Sequence, residues 1–117
     1  MVEVEVTRRT VTFRVVGSHR LWALRRTITV PSDAIGEVAR AEPELRPPWL
    51  RAPGTYLPKV IAAGTYRDGK GRKEFWDTTF RGKAIRVDLA SGPFTRLVVD
   101  VDNPDATIRK LIRGRES

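Results

Sequence analysis

LRAPGTYLPKVIAAGTYRDGKGRKEFWD, residues 50–77, is the stretch whose reading decides the fold. Gly-Thr-Tyr occurs in it twice, at Gly54-Thr55-Tyr56 and Gly64-Thr65-Tyr66. Both tyrosines of the chain lie in it, with Trp76 inside and Trp49 beside it. Two apolar arms flank a basic turn, Arg67-Asp-Gly-Lys-Gly-Arg-Lys73. The arm Val60 to Tyr66 is short, apolar and bounded by turn residues. That pattern reads as a strand buried on both sides or as a barrel stave. Asp68-Gly69 and Gly71 then give a hairpin turn, and Glu74 to Phe80 returns as the next strand.

Working outward toward the N-terminus, alternation dominates. Val2, Val4 and Val6 point one way, with Glu3 and Glu5 opposite. Val11, Phe13 and Val15 then alternate with Thr10, Thr12 and Arg14. The apolar parity switches between Val6 and Val11, so Arg8-Arg9 marks a turn or bulge. Gly17-Ser18 is a further turn. Leu24, Ile28 and Val30 share one parity up to Pro31, but Arg26 intrudes, so the first half of that strand is an edge or a loop. Ser32-Asp33 starts a helical or tight turn, Ile35 to Ala41 is a short edge strand, and Glu42 to Pro48 is a surface loop. Toward the C-terminus, Ile85, Val87 and Leu89 alternate with Arg86 and Asp88, and Leu97, Val99 and Val101 follow after Ser91-Gly92-Pro93.

The last element is different. Asp102 or Asn103 caps, Pro104 takes the first helical position, and Asp105 suits the positive end of the helix dipole. Ile108, Leu111 and Ile112 form one apolar face. A helix over 103–113 is too short to stand alone and must dock on a sheet. The expected class is therefore mainly β with one C-terminal α-helix: seven or eight short strands in a sandwich or barrel whose open end the helix closes.

The chain has 117 residues, 40% of them apolar and 31% charged, which suits a single domain spanning 1–117. It contains no apolar run of transmembrane length. MVEVEV at the start lacks the pattern of a secretory leader. Cysteine is absent and His19 is the one histidine, so thiolate zinc sites and His-based metal clusters are excluded. No cofactor or metal is expected, and no catalytic residue is assigned, His19 included. Lys and Arg number 22 against 14 acidic residues, a net charge of +8 that invites anionic partners.

The order of elements resembles the pleckstrin-homology (PH) fold, a bent barrel of about seven strands capped by a C-terminal helix. It is most similar to the small bacterial PH-domain-like proteins. Arg20-Leu-Trp-Ala-Leu-Arg-Arg26, Ile28-Thr-Val-Pro31, Gly54-Thr-Tyr-Leu-Pro58, Gly64-Thr-Tyr66, Phe75-Trp76-Asp77 and Leu97-Val-Val-Asp-Val-Asp-Asn-Pro104 carry the likeness. That family is largely without assigned activity. The sequence departs from eukaryotic phosphoinositide binders. Val16 stands two residues after Arg14, so their Arg-x-Arg pair is missing, and residues 104–113 hold no tryptophan. Inositol-phosphate recognition is therefore carried to no residue.

Two basic clusters form the candidate anion or headgroup site. Arg8, Arg9, Arg14, Arg20, Arg25 and Arg26 occur with no acidic residue among them, and Arg67, Lys70, Arg72 and Lys73 surround the glycine-rich turn. Guanidinium forks suit carboxylate and phosphate oxygens. The bland alternative is solvated charge that blunts a sheet edge. Trp49, Tyr56, Tyr66, Phe75 and Trp76 read as core and loop anchors, because Phe75 and Trp76 have opposite strand parity. Asp77, Asp88, Asp100 and Asp102 read as pointing out of strands or capping the helix.

The expected function is that of a non-enzymatic PH-like module. It binds a protein segment or itself through an exposed strand edge or a groove beside the helix, with an assisting contact to an anionic membrane. The alternative is a nucleic-acid-binding small β-barrel, and an enzyme ranks third. The expected location is the cytoplasm, including a peripheral position at the inner face of the membrane.

Overall fold

The computed structural model describes residues 2–15, 27–41, 50–57, 61–67, 72–79, 82–92 and 94–116; for 50–57, 61–63, 67, 115 and 116 it describes the backbone alone. Nine strands occur among the described residues: β1 (Val2–Val6), β2 (Thr10–Val15), β3 (Thr27–Pro31), β4 (Ile35–Arg40), β5 (Leu50–Leu57), β6 (Ile61–Arg67), β7 (Lys73–Thr78), β8 (Ala84–Leu89) and β9 (Arg96–Asp100). A 3-10 turn, Ser32–Ala34, joins β3 to β4, and one helix, Pro104–Glu116, closes the chain. The protein is thus mainly β with one C-terminal helix. Leu21 to Arg26, the loop 42–48 and the turn 68–71 lie outside the described residues.

The strands form two sheets, β1-β2-β3 and β4-β8-β9-β7-β6-β5. Neither ladder closes on itself among the described residues. The first hairpin keeps the register that alternation demands, from Val2↔Val15 to Val6↔Val11, with Thr7 to Thr10 as the turn where parity switches. In the larger sheet the two Gly-Thr-Tyr motifs meet at their glycines, Gly54↔Gly64. Gly64 has φ 130, a conformation that side-chain-bearing residues rarely adopt. Trp76 is its register partner on β7.

One pairing was not foreseen. β9 inserts between β8 and β7, antiparallel to β8 and parallel to β7. It is therefore covered on both sides, and Leu97 to Asp100 are all buried.

The inner faces of the two sheets form the main core. Val11, Phe13, Val15, Ile28 and Val30 come from one sheet; Phe75, Ile85, Val87, Leu97 and Val99 come from the other. Phe94 meets Phe75 edge to face, with ring centroids 6.1 Å apart. Odd and even residues of β7 and β9 separate as strand period requires: Tyr66, Trp76 and Val98 make a second cluster. Each buried aliphatic or aromatic side chain contributes on the order of 1.5–3 kcal/mol.

The helix starts as its sequence directs. Asn103 Oδ1 accepts from Ala106 N at 3.1 Å, and Asp105 lies in the first turn. Leu111 is fully buried, Ile108 packs on the core edge, and Ile112 is half-buried. The helix runs to Glu116 rather than stopping at Arg113, and it lies against β4, β1, β8 and the 3-10 turn. Arg40 of β4 clamps Asp105 through a two-pronged contact of 3.0 and 3.2 Å. Gly114 explains how near the helix comes to β1: a Cβ there would sit 2.6 Å from Val6 Cγ1.

Candidate functional site

The turn of the first hairpin stands beside the last turns of the helix. Thr7 N donates to Thr10 O at 2.8 Å, and the Thr7 hydroxyl accepts from Thr10 N at 3.1 Å, so the backbone at Arg8-Arg9 is held from both sides. Between this turn and the helix runs a groove of about 680 Å³, lined by Val6, Thr7, Arg8, Ala106, Lys110, Arg113 and Gly114. Ala106, Lys110 and Arg113 are spaced i, i+4 and i+7, which puts them on one helix face.

The groove is cationic. Arg8, Lys110 and Arg113 line it and, among the described residues, no acidic side chain does. Lys110 Nζ donates to the Val4 carbonyl at 2.6 Å. Among the described residues the exposed Arg8 side chain makes no hydrogen bond or ion pair. The floor is small and apolar, from Val6, Ala106 and Gly114. Such a site suits a carboxylate or phosphate oxygen flanked by guanidinium donors.

The ten basic residues expected to form a site do not act together among those described. Arg8 enters the groove. Arg9 is exposed at the turn, and its carbonyl accepts from Ser32 N at 2.9 Å. Arg14 lies on the outer face of the small sheet, 3.4 Å from Glu5, a contact worth little at such exposure. Arg72 lines a separate recess, and Lys73 is half-buried where its carbonyl receives Thr95 N at 2.8 Å. Arg20, Arg25, Arg26 and Lys70 lie outside the described residues, and Arg67 is described by its backbone alone. From sequence alone, Lys110 and Arg113 suit the negative end of the helix dipole and carry no other role. The i, i+4, i+7 stripe they make with Ala106 is the signal that could have found them.

The second recess is about 400 Å³ and is lined by Arg72, Glu74, Asp88, Thr95 and Arg96. Its charges are mixed, Arg72 and Arg96 against Glu74 and Asp88. Arg96 Nε donates to Asp88 Oδ1 at 2.9 Å, Arg86 contacts Glu37, and Trp76 Nε1 donates to Glu74 Oε1 at 3.0 Å. The first two pairs link β4, β8 and β9, the third lies within β7, and the balanced lining leaves little surplus charge for a ligand.

Two carboxylates expected to point outward are buried instead. Asp77 is 0% and Asp100 2% exposed, because β7 and β9 are covered on both faces. Asp100 accepts from Thr78 Oγ1 at 2.7 Å, Thr79 N at 2.8 Å and Thr79 Oγ1 at 3.0 Å. That bracket ties the ends of β7 and β9 together immediately before the chain turns into the helix. Its position is structural and it lines neither recess.

The aromatics behave as core. Tyr66, Phe75 and Trp76 are each 1% exposed, so none offers a face to a base. Among the described residues no three His, Cys, Asp or Glu side chains group as metal ligands would, and no helix is long and apolar enough to cross a membrane. Comparison with family models, with curated proteins and with solved structures found no match to this chain.

Proposed function

We propose that this protein is a non-enzymatic binding module of PH-like character whose contact surface is the groove between the first hairpin and the C-terminal helix. The occupant is an acidic segment of a partner protein. One observation carries the reading: three cationic side chains from two parts of the fold line a single groove, and no acidic residue lines it among those described. A net charge of +8 adds long-range attraction for such a partner. Nucleic acid lacks an aromatic platform among Tyr66, Phe75 and Trp76.

The test is a titration of the fluorescein-labelled octapeptide of alternating Glu and Thr, followed by anisotropy at low and physiological salt. Vesicles of phosphatidylserine and phosphatidylcholine are compared in parallel. Saturable peptide binding that weakens with salt but persists at physiological ionic strength supports the reading. Binding to the vesicles alone moves the function to a membrane surface, and binding to neither sinks the proposal.

A further inference from the structure

We infer that the acidic occupant binds by adding a strand to the edge of β1 that is open among the described residues, lying extended alongside the C-terminal helix while Gly114 stays packed on the Val6 side chain. This rests on the groove reading above and states the form its ligand takes.

Ladder parity fixes which backbone groups of β1 face outward. β1 is the outer strand of the sheet β1-β2-β3. Thr7 N donates to Thr10 O, so Thr7 and Thr10 are the hydrogen-bonded pair that closes the hairpin. In an antiparallel pair, hydrogen-bonded and non-hydrogen-bonded positions alternate. Glu5↔Thr12 and Glu3↔Arg14 are then the next bonded pairs along the register. The N–H and C=O groups of Val2, Val4 and Val6 must point away from β2. Lys110 establishes the direction independently, because its ammonium reaches the Val4 carbonyl from the helix side.

The edge facing the groove is thus a row of backbone groups. Among the described residues, Lys110 supplies the one hydrogen bond that reaches the outward groups of Val4 and Val6. Exposed edges are ordinarily blunted by lysine, proline or a covering element. Among the described residues a single lysine covers a single carbonyl of this edge, and a groove of about 680 Å³ lies alongside.

An occupant that satisfies Val4 and Val6 together has to present groups at a two-residue repeat of about 6.8 Å, which an extended chain does and a helix does not. Its N–H replaces Lys110 on the Val4 carbonyl. The released ammonium, with Arg8, then faces the side chains of the added strand. Those side chains must be acidic in part, because every charged side chain among the described groove residues is cationic.

A second copy of this chain fits less well. Antiparallel pairing of two β1 edges about Val4 sets the glutamates of the two copies directly opposite each other, and like charges at such positions are destabilising.

Backbone amide exchange followed by NMR tests the inference. The probe is the acetylated, amidated octapeptide of alternating Glu and Thr, with two analogues: one N-methylated at every Thr, the other at every Glu. Strand addition predicts that saturating peptide slows exchange of the Val4 and Val6 amides at least about tenfold, while the Glu3 and Glu5 amides, already paired, change little. It also predicts that one analogue binds at least about tenfold more weakly and the other does not, since alternate N–H groups of a strand point to opposite edges. If the peptide binds, Val4 and Val6 exchange as before, and both analogues bind equally, strand addition is wrong and the groove reading survives. If no peptide binds, both fall. Concentration-dependent protection of Val4 and Val6 without peptide overturns the choice of occupant in favour of a second copy.

Discussion

Asp100 offers the sharpest handle on how the sheet positions the helix. Its carboxylate is 2% exposed and accepts three hydrogen bonds from Thr78 and Thr79. Asp100→Ala removes all three acceptor contacts at once. The Thr79 N–H cannot turn to another acceptor, and leaving it unpaired costs about 1–3 kcal/mol. The two hydroxyls rotate and recover part of their loss, so the total is about 3–5 kcal/mol. Asp100→Asn keeps the shape. Its amide oxygen accepts from Thr79 N, and its NH2 group faces the Thr78 hydroxyl, which reverses to accept. Only charge assistance is lost, about 1–2 kcal/mol. Urea denaturation separates the two. With a slope of about 2 kcal/mol per molar, the alanine variant loses about 2 M in midpoint and the asparagine variant under about 1 M. If Asn costs as much as Ala, negative charge matters rather than the acceptor bracket, and the reasoning fails. A midpoint unchanged by Ala refutes it outright.

Gly114→Ala sets two effects against each other. Alanine gains up to about 1 kcal/mol of helix propensity, less at a fraying helix end. Its Cβ, however, would meet the Val6 methyl at 2.6 Å, and Val6 is stiff at χ1. Overpacking of this kind costs about 1–3 kcal/mol, so a net loss of about 1 kcal/mol is expected in thermal melts, and a rise in stability contradicts the close approach. Acid dependence follows from Asp105, whose carboxyl is held below its ordinary value by hydrogen bonding and attraction from Arg40. A depressed folded-state pKa means the contribution is in full above the unfolded value, about 3.9, and is lost as pH falls through the folded one. Asp105→Asn should therefore lower the urea midpoint at pH 7, and its deficit should shrink toward pH 3; a deficit that grows with acidification has the wrong sign.

Local patterns in the chain made some elements readable and hid others. Val2, Val4 and Val6 against Val11, Phe13 and Val15 gave the first hairpin, and Arg8-Arg9 gave its turn, because strand alternation reports the face of each residue directly. Asn103-Pro104-Asp105 gave the helix start. Its end was placed at Arg113, but the helix continues through Gly114, which serves a close approach to Val6. β5 was not distinguished as a strand, since Pro53 and Gly54 resemble a turn. A register shift between Arg51 and Gly54 accommodates them. The parallel β7–β9 pairing was invisible, because alternation says which face a residue takes and not which strand lies beside it. The burial of Asp77 and Asp100 follows from packing on both faces of the sheet at β7 and β9, which alternation does not report either. Arg8 was identified as a site residue, but its groove partners Lys110 and Arg113 lie a hundred residues away in the chain, and only the packed helix brings them to it.

The most direct check of the cationic groove is peptide binding by two variants that change net charge equally. Arg8→Glu reverses a groove side chain; Lys83→Glu reverses an exposed one outside the groove lining. The alternating Glu and Thr octapeptide is titrated into both and into the wild type at two salt concentrations. The account predicts that Arg8→Glu weakens binding at least about tenfold, with a flatter salt dependence, while Lys83→Glu stays within about twofold of wild type. Equal weakening by both would show that net charge alone attracts the peptide, and would contradict a site at the groove.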